Sequence, residues 1–147
     1  MLGVEIDMVV KDSLEALKTY KKVFKAEEVE SSDYNIGFNE AVFTIHNSRF
    51  HMLDENEEYM LYAPNKDIPN SIWFNILVKD IEETFNKAEE ENFKIIHPLT
   101  EVEELGIINA ILLDPYGYQW MLHQIVKEVN FEKRKEFMEK EFSEDLK

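Results

Sequence analysis

Residues 4–10, Val-Glu-Ile-Asp-Met-Val-Val, alternate apolar and polar side chains for most of their length, the two-residue period of a strand covered on one face. Val4, Ile6, Met8 and Val10 share one side; Glu5, Asp7 and Val9 share the other. Asp12 and Glu15 follow as a D-x-x-E helix start, in which the aspartate accepts from free first-turn amides and the glutamate can reach back. Leu14, Leu17, Tyr20 and Phe24 then recur at helical spacing, which predicts an amphipathic helix over 13–24. Residues 26–33, 40–46 and 49–54 read as three further strands, parted by turn formers such as Asn35-Ile36-Gly37 and Asn47-Ser48.

The pattern then restarts. Residues 71–78 read as a strand with Ile72, Phe74, Ile76 and Val78 on one face and Trp73, Asn75 and Leu77 on the other. Asp80 and Glu83 repeat the helix start, and Ile81, Phe85 and Ala88 line the helix behind it. Strands near 94–101, 105–113 and 118–125 complete the unit. Val78-Lys79-Asp80 repeats Val10-Lys11-Asp12 at an offset of 68 residues, between the same strand and helix. A spacing that long, with order and phase preserved, is a duplicated supersecondary unit and not a solenoid. The expected fold class is α+β: a βαβββ module over 1–54, a linker over 55–70 carrying Pro64 and Pro69, a second βαβββ module over 71–126, and a C-terminal helix within 127–147.

Composition narrows the function classes. Acidic residues outnumber basic ones 31 to 16, for a formal charge of −15, so duplex nucleic acid and anionic membrane surfaces are poor partners. Cysteine is absent, which removes thiol nucleophiles, disulfides and Cys-ligated zinc. The first residues lack the basic and apolar regions of a signal peptide, and no apolar run approaches a membrane span, so a cytoplasmic location is expected. Neither an HExxH motif nor a phosphate-binding glycine loop occurs.

Two segments carry a family resemblance. The run Val9-Val10-Lys11-Asp12-Ser13-Leu14-Glu15-Ala16-Leu17 through Glu28 resembles the first helix of the vicinal oxygen chelate superfamily (glyoxalase, bleomycin resistance and dioxygenase proteins), nearest its PhnB-like branch. Asp114-Pro115-Tyr116-Gly117-Tyr118-Gln119-Trp120 resembles that branch's Asp-Pro-(Phe or Asp)-Gly-x-x-Trp signature before the last strand. The resemblance spans roughly residues 3–125 and implies curved sheets around a cavity. In members that use a metal, it implies one ligand from the first and last strand of each module. Those positions fall at Glu5, His51, Trp73 and Met121.

Trp73 offers no lone pair to an ion, and the Met121 thioether suits neither hard nor borderline cations. A catalytic zinc site typically needs three protein ligands and an open position. The expectation is therefore a protein without a resident cofactor; were a divalent metal held, Glu5, His51 and His123 would be its ligands. By strand phase the cavity should contain Glu5, Asp7, Arg49, His51, Trp73, Asn75, Met121 and His123, a mixture suited to an amphipathic small organic molecule. The expected function is metal-free binding of such a molecule, as in bleomycin resistance. The alternative is a metal-dependent lyase, isomerase or dioxygenase with a rebuilt site. Open sheet edges also predict a homodimer, with Phe131, Met138 and Phe142 as candidate contacts.

Overall fold

The computed structural model describes residues 2–65, 67–68 and 70–146. Its strands are β1 (Ile6–Val10), β2 (Glu27–Ser31), β3 (Glu40–Ile45), β4 (Ser48–Asp54), β5 (Phe74–Leu77), β6 (Lys94–Val102), β7 (Ile107–Leu113) and β8 (Gln119–Ile125). Helix α1 (Ser13–Phe24) follows β1, α2 (Ile81–Glu90) follows β5, and α3 (Phe131–Glu141) follows β8. Two four-stranded sheets result, ordered β1-β4-β3-β2 and β5-β8-β7-β6. In each, the first strand runs parallel to the last, and the other neighbours are antiparallel. This is the duplicated β-α-β-β-β order that the sequence predicts.

Both helix starts form as expected on the aspartate side: Asp12 accepts from the Glu15 amide at 3.0 Å, and Asp80 from the Glu83 amide at 3.1 Å. The glutamates turn elsewhere. Glu83 takes the Lys87 ammonium at 2.8 Å, and Glu15 lies 3.8 Å from Lys18, because a charged partner one turn on attracts a carboxylate more than a single cap amide does.

Several expected boundaries move, two of them in the second module by two residues or more. The strand read over 71–78 shortens to Phe74–Leu77, since its ladder on β8 begins at Phe74–Trp120 and the chain before Gln119 turns away. The strand expected from 105 begins at Ile107, because a 3-10 turn over Glu103–Leu105 and Gly106 at φ 63° occupy the preceding residues. Within 55–70, Glu57–Tyr59 form another 3-10 turn, and Pro69 lies outside the described residues.

The apolar faces of both sheets and of α1 and α2 enclose one core. Met8 and Val10 of β1, Ile76 of β5, and Trp120 and Leu122 of β8 point into it. Trp120 sits where the halves meet, its ring centroid 4.4 Å from Phe24, 4.8 Å from Phe74 and 5.5 Å from Tyr20. The turn before it holds the halves together. Buried Asp114 accepts from the Tyr20 hydroxyl at 2.6 Å, the Trp120 indole at 2.8 Å and the amides of Tyr116 and Tyr118. The Tyr118 hydroxyl both donates to the Val9 carbonyl and accepts from the Val9 amide, each at 3.0 Å. Thr19 and Tyr116 share a hydroxyl–hydroxyl bond of 2.7 Å.

α3 is amphipathic only weakly, and all its side chains but one are exposed. No described helix is long and apolar enough to cross a membrane.

Candidate functional site

Alternation along β1 and β4 sends Met8, Val10, Phe50 and Met52 into the core, so Asp7, Arg49 and His51 must stand on the opposite, open face. The parallel register sets Asp7 beside His51. Glu5, just before β1, reaches the same spot: its carboxylate takes the Arg49 Nε at 2.7 Å and lies 3.6 Å from His51 Nδ1. Asp7 is also 3.6 Å from that nitrogen. Glu40 completes the group, its carboxylate 2.8 Å from His51 Nε2. One half-buried imidazole is thus ringed by three carboxylates, with a guanidinium on one of them. Sequence reasoning missed Glu40: its phase matches that of Val42 in β3, but only the register that pairs Val42 with His51 brings it to the imidazole.

By strand phase Asn75, Met121 and His123 stand on the open face of the second sheet, and Trp73 lies just before β5. Asn75 is in register with Met121, and His123 with Leu77. Trp73 is 51% exposed, so it is no part of the core beneath the helices. With Asn75 it lines a cavity of about 360 Å³ at the β5 edge, closed on the other side by Ile6, Phe50 and Ile45. His123 lines a different cavity, near the start of α3, and its Nδ1 is buried without a hydrogen-bond partner. The eight expected residues therefore do not share one cavity: Glu5, Asp7, Arg49 and His51 cluster on the first sheet, whereas Trp73 and Asn75 line one cavity, His123 lines another and Met121 lines neither.

Glu5, Asp7 and His51 bring one possible ligand atom each to within 4.8 Å of the others. Asp7 stands beside the pair, whereas His123 belongs to the second sheet. Two carboxylates and an imidazole suit a divalent cation chemically. All three donors come from a single sheet, however, and the charge of Glu5 is already met by Arg49. The equivalent places on the second sheet hold Trp73 and Met121. These residues fit a weakly held ion, not the closed donor set of a tightly held one.

The model of the Glyoxalase/Bleomycin resistance protein/Dioxygenase superfamily matches residues 4–122. Among solved structures, the chain is similar to the fosfomycin resistance protein FosX from Listeria monocytogenes, solved with Mn(II) and sulfate: 15% identity over 93% of this chain and 98% of that one, at a TM-score of 0.66. TioX from Micromonospora sp. ML1 is similar at 14% identity over 88% of this chain and all of its own, with a TM-score of 0.60. A gene product of Arabidopsis thaliana is similar at 21% identity over 83% of this chain and 96% of its own, with a TM-score of 0.62. At these identities the likeness is one of fold. No curated protein matches the chain.

Proposed function

The chain belongs to the glyoxalase/bleomycin resistance protein/dioxygenase superfamily, and from that premise we propose that it binds a small amphipathic organic molecule on its open sheet faces without a tightly held metal ion. The observation that carries this reading is Trp73, a large aromatic ring left half-exposed at the rim of a cavity instead of packed under a helix. A ring so placed offers a ligand contact area at little entropic cost. Asn75 lines the same cavity and supplies a polar group for orientation, and we extend the site to Glu5, Asp7, Arg49 and His51 on the first sheet and Met121 on the second. We further place the protein in the PhnB-like branch, in the cytoplasm, and as a homodimer whose partner covers the apolar sheet edges.

A second reading rests on Glu5, Asp7 and His51 with a divalent ion, as FosX of Listeria monocytogenes was solved with Mn(II). Such an ion would act as a Lewis acid toward a substrate oxygen and make the protein a lyase, isomerase or dioxygenase. Metal analysis of protein purified without added metal separates the two. The first reading expects less than stoichiometric metal, and a full equivalent of manganese, zinc or iron lost in Glu5→Gln would overturn it. Native mass spectrometry should then reveal a co-purified organic compound. That compound should alter the Trp73 emission, and Trp73→Ala should weaken its binding by about 1–3 kcal/mol.

A further inference from the structure

The cavity near the start of α3 has a chemistry unlike the rest of the molecule. It measures about 590 Å³ and lies between the end of β8, the 3-10 turn before Gly106 and the first turn of α3. Lys127, Lys133 and Arg134 converge on it. Among the described residues none of these three is in an ion pair, although carboxylates outnumber cations 31 to 16 over the chain. The two carboxylates at the cavity, Glu104 and Glu128, leave it with an excess of positive charge in a protein of net charge −15.

Its inner wall is apolar, built by Leu105, Ile107 and Ile125. His123 stands on that wall with its buried Nδ1 unpartnered.

The local backbone fixes these groups in place. The Gly106 carbonyl accepts from the amides of Val126 and Lys127 at 2.8 and 3.1 Å, clasping the chain as it leaves β8. Asn130 caps α3 through the Lys133 amide at 2.9 Å and so directs Lys133 and Arg134 from the first turn. Only Glu128 and Val129 lie between clasp and cap.

We propose that this cavity is a binding site for a small organic acid, with the carboxylate held by Lys127, Lys133 and Arg134 and a short apolar body lying along Leu105, Ile107 and Ile125. The site is independent of the Glu5–His51 group, which lies on the other sheet.

The test is a titration of the isotope-labelled full chain with sodium acetate, sodium hexanoate and hexylammonium chloride, followed by amide and imidazole NMR. Hexanoate should shift His123 and the amides of 104–107 and 126–134 saturably, with tighter binding than acetate and with no matching response to hexylammonium. Lys133→Gln with Arg134→Gln should weaken hexanoate roughly tenfold while leaving the remaining spectrum unchanged, since both side chains are exposed and serve no core contact. The proposal falls if hexanoate gives no saturable shift, if hexylammonium shifts the same resonances, if acetate binds as tightly, or if the double variant binds hexanoate unaltered. Trp73, Glu5 and His51 are untouched by these variants, so failure here leaves the proposed function standing.

Discussion

Two buried aspartates show how the same side chain is driven in opposite directions by its surroundings. Burial works to raise the pKa of Asp54, but the amides of Ser13, Asn39 and Gly37, at 2.7, 3.0 and 2.9 Å, outweigh it and hold the carboxyl below its ordinary range. Asp114 has four donors, yet burial prevails and its pKa is raised. The signs follow from linkage. Asp54 contributes stability above its ordinary pKa and loses it as pH falls through the lowered folded value. Ionised Asp114 costs stability at neutral pH, and that cost disappears as pH falls through its raised value. Asp54→Asn should therefore lower stability at neutral pH by about 1.5–3 kcal/mol, since its amide group would face at least one donor. It should also flatten the acid limb of a melting-temperature profile. An unchanged acid limb in that variant would show that Asp54 is not the group responsible. The role of Asp54 was not visible in the sequence, because it depends on amides brought from distant segments; the amides Asp114 takes lie two and four residues on, and only its Tyr20 partner comes from the other half.

At the scale of elements, Gly106 carries more constraint than its position in a short turn suggests. Its φ is 63°, and a Cβ there would lie 2.2 Å from the Lys127 carbonyl oxygen. Gly106→Ala should cost about 1–2 kcal/mol for the backbone conformation alone. The clash should add to that and loosen residues 126–130, which amide hydrogen exchange would register as faster exchange there than in β1–β4. Equal protection in variant and parent would contradict it. Elements of this kind mark the limit of what the chain reveals by pattern. Helix α1 runs over the expected 13–24 because a cap and four spaced apolar residues define it locally. Strand β5 is shorter than its alternation implies, because strand length depends on a partner, and β8 begins only at Gln119. The candidate site divides in the same way. Phase sufficed to place Asp7, Arg49 and His51 on one open face, but the approach of Glu40 to His51 needs the register between β3 and β4. The basic cavity needs the path of the chain after β8, which no periodicity encodes.

Across the whole molecule, the two sheets present free edges at β1 and β5 with apolar side chains beside them. Ile72 is 72% exposed, Leu77 55% and Val4 96%. Such edges invite pairing, and a second copy of the chain would cover them. Light scattering should therefore give twice the 17.5 kDa of one chain, and Val4→Arg with Ile72→Arg, both outside the Trp73 cavity, should shift the mass toward the monomer. A monomer at high concentration in the parent protein would refute the dimer. The C-terminal helix is a lesser candidate for that contact, with Phe131 and Phe142 exposed but no continuous apolar stripe.

The bond between the Tyr118 hydroxyl and Val9 spans 109 residues of sequence, and the ring of Trp120 seals the space beside Phe24 and Phe50. A ribosome releases the first half of this chain long before either side chain exists outside the exit tunnel. Until then α1 and β1 lack part of their cover, and apolar surface left open in this way is prone to aggregate. Long-range closure of this sort also slows folding, because the loop must be closed before its contacts reward it. The turn at Asp114 is thus the point at which synthesis commits the two halves to one another, and a chain truncated before it would leave the first half unfinished, however well its own strands pair.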